Sequence, residues 1–446
     1  MLTNRVTRRR ALKLGAAASV LPLVHIRTAG AAGKVSIGFW DHWVPAGNDV
    51  MKKQVAAFAD KNKVEVQADF ITTIGNKNLL TIAAEAQAKT GHDIETFPTW
   101  EVLDHINDLV PVDDLMGRLT AKYGQTNKVA EYLARSKGHW LAIPSSSGSQ
   151  MKGPCARISI MKEAAGIDPV AMFPAADTAM PGAESWTYEA HVKAAEACAK
   201  VGKAFGIGLG TTPDSVDTAG ALFAAYGAEL VSAKGEITVK SDAVREVLDY
   251  AQRLVKALPK DAVSYDDASN NRALISGQSA LIWNPPSAWA VAKRDAPAVA
   301  ADSWSFTAPV GPKGRFVPHV PFFWGIWKFS QNKTAAAELI EYLMQREQVE
   351  ARCNAVAGYD IPPFASMLDF KVWETVEPPK GTVYNYPIRP QHKGIAHVAA
   401  LPAPPEIAVQ IYNQGTMPTM MAKLLSGQSI NDVIAWAQNE LEGFVG

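Results

Sequence analysis

The strongest constraint on the fold is an alternation of two periodicities along the first part of the chain. From Val35 to Phe39 apolar residues alternate with Ser36 and Gly38 at strand period. Asn48 then offers a cap to a helix in which Met51, Val55 and Phe58 recur at i, i+4 and i+7. Val64-Glu65-Val66-Gln67-Ala68-Asp69-Phe70 is a clean apolar/polar alternation. Leu79, Ile82, Ala83 and Ala86 repeat the helical stripe, and a short stretch around Ile94 leads into Phe97-Pro98-Thr99-Trp100. Strand, helix, strand, helix, strand calls for a mostly parallel sheet covered on both faces, because parallel neighbours need helical crossovers.

The rest of the chain reads as a second unit of the same kind. Ala142-Ile143-Pro144 is a short strand, and the small polar run Ser145-Ser146-Ser147-Gly148-Ser149 after it is a flexible candidate crossover. Arg157 to Met161 reads as strand. Tyr188, Val192, Ala195 and Ala199 mark a helix opening near Ser185, and Val244, Val247, Leu248, Ala251, Leu254, Val255 and Leu258 the most regular helix of all. Beyond a proline-rich stretch from Pro285 to Pro321, helical periodicity resumes at Ala336, Leu339, Ile340, Leu343 and Met344. A capping pair, Ser429 and Asp432, precedes the last helix. At roughly 100 to 200 residues per domain, 446 residues predict two or three folding units.

The first 31 residues hold Arg5, Arg8, Arg9, Arg10, Lys13 and Arg27 and no acid, followed by an apolar stretch from Leu14 to Val24 and small residues at Ala29-Gly30-Ala31. This is the pattern of an export signal cleaved near Ala31, and Thr7-Arg8-Arg9-Arg10-Ala11-Leu12-Lys13 resembles the twin-arginine consensus. The expected location is the periplasm, with the twin-arginine export machinery as a partner in transit. Without the leader, 44 acids face 38 bases, a balance that argues against a nucleic-acid partner. Cys155, Cys198 and Cys353 are scattered without a C-x-x-C pair and read as buried small apolar side chains; zinc and thiol chemistry lack their ligand spacing.

Trp40-Asp41-His42-Trp43 directly follows the first strand, and Thr99-Trp100-Glu101 the third. Loops at the carboxyl ends of parallel strands line the ligand crevice of an open sheet, so these two Trp-plus-acid loops share one edge. Flat indole faces stack on the apolar faces of sugar rings, and carboxylates accept hydrogen bonds from vicinal hydroxyls. Trp283, Asn284 and Trp289 flank Pro285 and Pro286, which suit a loop closing on a ligand rather than a regular helix or central strand. Trp324, in Phe322-Phe323-Trp324-Gly325-Ile326-Trp327, divides between ligand contact and the core of a buried strand. There is no G-x-S-x-G elbow, P-loop, dinucleotide fingerprint or H-E-x-x-H. Gly206-Ile207-Gly208-Leu209-Gly210 has the wrong spacing for a phosphate cradle, and Asp113-Asp114 and Asp266-Asp267 read as solvated caps and turns. No catalytic residue, metal or cofactor is expected.

Several landmarks fall in one order. They are the strand ending in Phe39-Trp40, Gly75-Asn76-Lys77-Asn78 before its helix, Leu109-Val110-Pro111-Val112-Asp113-Asp114-Leu115 and Gly138-His139-Trp140-Leu141-Ala142-Ile143-Pro144. Ile160 to Asp168, Ser185-Trp186-Thr187-Tyr188-Glu189 and Gly277-Gln278-Ser279-Ala280-Leu281 ahead of Trp283 complete the series. In that order and spacing the chain resembles the extracellular solute-binding proteins of family one, the capture subunits of bacterial ABC importers. It departs from the pattern at Ser145 to Lys152, where the family more often has an aromatic residue and apolar strand positions.

The resemblance implies an α/β fold of two lobes, each a mostly parallel sheet flanked by helices, with the ligand cleft between them. Residues 34–149 with 303–349 would form one lobe and 150–302 with 350–446 the other. By matching position, Asn78 and the Gly358-Tyr359-Asp360-Ile361-Pro362 loop would join the site. The implied function is capture of a small solute, first of all a carbohydrate, by hinge closure, and delivery by a monomer to an inner-membrane ABC permease. Two alternatives stay open: a cationic solute such as a polyamine or betaine, caged by tryptophans and carboxylates, and an exported polysaccharide hydrolase.

Overall fold

The computed structural model describes residues 33–176, 180–284, 287–383 and 392–445. The basic leader and Pro285-Pro286 lie outside the described residues. The strands are β1 (Lys34–Trp40), β2 (Glu65–Ile71), β3 (Ile94–Pro98), the two-residue β4 (Arg135–Ser136) and β5 (His139–Trp140), β6 (Ala142–Met151), β7 (Pro154–Arg157), β8 (Leu281–Trp283), β9 (Ser303–Ser305), β10 (Arg315–Ile326) and β11 (Gly394–His397). The first sheet has the order β11-β10-β3-β1-β2, with β6 also on β10. β1 runs parallel to β2 and β3, joined by the helices Pro45–Asn62 and Lys77–Ala88. β1 is buried almost throughout, whereas β2, on the sheet edge, alternates between exposed and half-buried positions as its sequence does.

Some local expectations need correction. The helix after β1 opens at Pro45, three residues before Asn48, because proline suits the first turn. Asn48 instead braces the preceding loop, its Oδ1 accepting from His42 N at 3.0 Å and its Nδ2 donating to Asp41 Oδ1 at 2.7 Å. The segment from Arg157 to Met161 is strand only to Arg157; the helix Ile158–Ala165 follows and ends at Gly166 in the left-handed region. The three cysteines are buried and unpaired.

The serine run is ordered strand. All of β6 is buried, and the hydroxyls serve the backbone around them: Ser149 Oγ donates to Ser145 O and accepts from Phe322 N at 2.8 Å. Val320 pairs with Gln150 and Phe322 with Ser145, so residues 146–149 bulge opposite Pro321, which cannot donate to the ladder. Gly148 makes the bulge possible: its φ is +86°, and a Cβ there would stand 2.4 Å from the Phe322 ring.

β10 is the spine of the molecule. Its C-terminal half pairs antiparallel with β3 and β6, while its N-terminal half pairs with β11 and carries the helix Pro213–Tyr226 of the other lobe. Lys152 N donates to Pro318 O at 2.8 Å where β6 leaves toward β7. The second sheet, β8-β7-β9, is antiparallel rather than parallel. β7 leads out of the crossing and β9 leads back into it, and strands that leave and return through one hinge oppose each other. Ser303–Ser305 therefore lies in the second sheet, and the helix Arg346–Ala355 packs on Pro45–Asn62 of the first lobe. Among the described residues no helix is long and apolar enough to cross a membrane.

Candidate functional site

A cavity of about 280 Å³ lies between the lobes. Three loops at the carboxyl ends of β1, β2 and β3 supply one wall, through Trp40 and Trp43, through Thr73, Asn76, Asn78 and Leu79, and through Pro98, Thr99 and Glu101. Gln150, Val320, Phe322 and Tyr359 come from the crossing region. The opposite wall is Thr211 to Asp214, Val216 and Asp217 at the start of the helix Pro213–Tyr226, with Asp267, Asn284, Ser287, Tyr412 and Asn413. Thr212 caps that helix by accepting from Ser215 N, and Pro213 opens it. Gly206, Gly208 and Gly210 lead into this corner because they are tightly packed: a Cβ on Gly210 would stand 2.7 Å from Tyr265 O.

The aromatic wall is interlocked. Trp40 stacks on Tyr359 with centroids 6.0 Å apart and meets the Phe322 ring edge-on at 5.2 Å. Trp43 is only half-buried, so its ring keeps a free surface. Three lining residues carry buried polar atoms with no hydrogen bond within the protein: the donors Trp40 Nε1 and Asn78 Nδ2, and the acceptor Gln150 Oε1. Unpaired buried polar atoms are costly, and three of them on one cavity's lining residues bias it toward a polar guest.

The cavity is acidic. Glu101, Asp214, Asp217 and Asp267 line it, and buried Lys152 places Nζ 2.6 Å from Asp214 Oδ1 and 3.7 Å from Asp217 Oδ2. Burial works against that ammonium, but Asp214 and Asp217 outweigh it and hold its pKa above the usual lysine value. Burial raises Asp217 to about 7 against the pull of Lys152. Asp267 is raised by burial and by Asp214. Glu101 is pushed up to about 8 by burial and by Asp104.

Of the candidate site residues named from the sequence, Trp40, Trp43, Asn78, Glu101, Asn284 and Tyr359 line this cavity, whereas Asp41, His42, Trp100, Trp283, Trp289, Trp324 and Asp360 do not. Asp41 is held by Asn48. His42 accepts from Val44 N at Nδ1, which puts its proton on Nε2, donated to Asp360 Oδ1 at 2.9 Å. Asp360 Oδ1 also accepts from Gly148 N at 3.0 Å, tying this buried pair to the bulge. Trp100 is fully buried against Tyr132 and Tyr412, so it backs the cavity wall. Trp283 donates from Nε1 to His191 Nε2 at 3.2 Å inside the second lobe, and burial holds His191 down at about 3. Trp289 sits in the first turn of the helix Ser287–Asp295, its indole donating to Pro378 O at 2.8 Å. Trp324 is core, edge-on to Phe39 at 5.9 Å with the Arg352 guanidinium 5.6 Å above its ring.

Sequence reasoning missed most of the second wall. Asp267 is not a solvated turn residue but lines the cavity beside Asp214, accepting from its backbone N at 3.3 Å. Thr212-Pro213-Asp214 announces a helix start, yet nothing in the sequence says which helix start faces the cleft. Asp113 is not a cap either: Val112 precedes its helix without a side-chain cap, and the half-buried Asp113 carboxylate instead accepts from Trp140 N and pairs with His139.

One family profile, described as bacterial extracellular solute-binding protein, matches residues 53–379. No curated protein sequence matches the chain significantly. Among solved structures, maltose-bound MalE3 of T. maritima superposes with a TM-score of 0.73 at 16% identity, covering 92% of this chain and 100% of that one. A solute-binding protein of Thermotoga lettingae TMO bound to alpha-D-tagatose gives 0.72 at 15% identity over 93% and 100%. A chitin oligosaccharide binding protein gives 0.71 at 16% over 93% and 100%. These likenesses establish the two-lobed α/β fold.

Proposed function

The chain belongs to the bacterial extracellular solute-binding proteins, and from that premise we propose that it captures a carbohydrate between its lobes and delivers it unaltered to an ABC permease. The observation that carries this reading is the mixture of unpaired atoms in the cavity. Trp40 Nε1 and Asn78 Nδ2 need acceptors, while Gln150 Oε1 needs a donor. A hydroxyl is both, and a ring bearing several hydroxyls satisfies both sets while its apolar face lies on Trp43. Maltose and tagatose, bound in two of the structural neighbours, and the chitin oligosaccharide for which a third is named are ligands of that class. At about 280 Å³ the cavity stands at the small end of small-molecule sites, which suits one or two rings.

The four lining carboxylates favour a second reading, a cationic solute such as a polyamine or betaine. A polyamine brings no acceptor for Trp40 Nε1 and Asn78 Nδ2, and betaine, whose carboxylate accepts, brings no N–H or O–H donor for Gln150 Oε1, so the carbohydrate stands first. The proposal includes export as a folded monomer through the twin-arginine route to the periplasm, on the strength of the basic leader, and no turnover of the solute.

The deciding experiment is calorimetric titration of the leaderless chain with mono- and oligosaccharides and, separately, with polyamines and betaine, followed by chromatography of the recovered solute. Saccharide heat with intact solute is the expected result. Heat from the ammonium compounds alone replaces the carbohydrate reading with the cationic one, and cleaved saccharide replaces it with the hydrolase.

A further inference from the structure

Away from the cleft, Glu85 near the end of the helix Lys77–Ala88 and His92 and Glu95 at the start of β3 bring three ligand atoms within 4.8 Å of one another. We infer that these three residues form a site for a divalent transition-metal cation, zinc above all. His92 Nδ1 lies 2.6 Å from Glu85 Oε1 and 3.3 Å from Glu95 Oε2. A single N–H serves one acceptor well, and Glu95 Oε2 carries no hydrogen bond although its side chain is 1% exposed. No lysine or arginine among the described residues pairs with either glutamate or with Asp69 beside them.

The outward-facing atoms are held, each by a different element. His92 Nε2 meets Asp69 Oδ2 of β2 at 3.1 Å, Glu85 Oε2 accepts from Trp327 Nε1 at 3.1 Å, and Glu95 Oε1 accepts from Thr96 N at 3.2 Å. Carboxylate-to-imidazole support of this kind orients metal ligands and fixes the tautomer. Two glycines make room for the carboxylates: a Cβ on Gly38 would stand 2.1 Å from Glu95 Oε2, and one on Gly91 2.3 Å from Glu85 Cδ. A cation replacing the Nδ1 proton, which leaves to solvent, satisfies all three inward atoms at once. Bond lengths of about 2.0–2.2 Å to one nitrogen and two carboxylate oxygens are ordinary for zinc, with water as the fourth ligand. Loading therefore widens the gap between Nδ1 and Glu85 Oε1. The His92 and Glu85 side chains are 13% and 11% exposed, which leaves an approach from solvent.

The test is titration of EDTA-dialysed protein with Zn²⁺ by calorimetry and chelator competition, with Co²⁺ absorption as a spectroscopic readout and Mg²⁺ as control. One equivalent of Zn²⁺ is expected to bind and raise the melting temperature. His92→Ala should abolish this, Glu95→Gln should weaken it more than tenfold, and Asp69→Asn, a positioning residue, should weaken it roughly tenfold. Sugar titration of each variant checks that it is folded. Absence of stoichiometric binding to wild type, or binding that His92→Ala and Glu95→Gln leave unchanged, overturns the inference.

Discussion

At the scale of single residues, Trp43 and Trp324 do opposite work. Trp43 keeps part of its ring free on the cavity wall, whereas Trp324 is fully buried between Phe39 and Arg352. Trp43→Ala is expected to weaken solute binding roughly tenfold or more with little change in melting temperature. Trp324→Ala is expected to cost roughly 3–5 kcal/mol of stability, read by chemical denaturation. Glu101 makes a pH prediction. Its carboxyl, ordinarily near 4.5, is raised to about 8 by burial and Asp104. A native value above the unfolded one means the folded state holds the proton more tightly. The stability this group contributes is complete below about 4.5 and is lost as pH rises through about 8. The melting temperature of the solute-free protein should therefore fall across that interval, and Glu101→Gln should flatten part of the fall. Asp217 and Asp267, also raised, act with the same sign.

At the scale of elements, the first wall of the cleft was legible and the second only at Asn284. Strand period places Trp40 and Glu101 after β1 and β3, and the topology of parallel strands brings those loops to one edge. The opposite wall depends on how the helix Pro213–Tyr226 is carried on β10, a contact between segments roughly a hundred residues apart that no local periodicity encodes. The serine run misleads for a related reason. Small polar residues signal flexibility only if their hydroxyls face water, and here Ser149 bonds within the strand pair. The same elements set how the lobes meet. Tyr132 OH, from the helix Lys128–Ala134, donates to Ala403 O across the lobes, and Asn413 Nδ2 donates to Asp104 Oδ2 at 2.8 Å. Tyr132 does not line the cavity, so Tyr132→Phe tests closure without touching the solute. Losing one hydrogen bond of about 1 kcal/mol should speed solute dissociation about fivefold in stopped-flow measurements.

At the scale of the molecule, β6 and β10 pass between two sheets of different character. The first is largely parallel, and the second is a short antiparallel set surrounded by helices. The buried His42–Asp360 pair, bonded to Gly148 N, ties the loop after β1 to the bulge of β6 and holds the aromatic wall rigid. That rigidity is what lets a few unpaired atoms select a guest, because a floppy cleft would satisfy them with its own side chains. The most direct test compares the tightest-binding saccharide with each of its monodeoxy derivatives by calorimetry. Removal of hydroxyls that serve Gln150, Asn78 or Trp40 leaves those groups unpaired, so at least two derivatives should bind tenfold or more weakly. Deoxy derivatives that all bind as tightly as the parent would contradict the account.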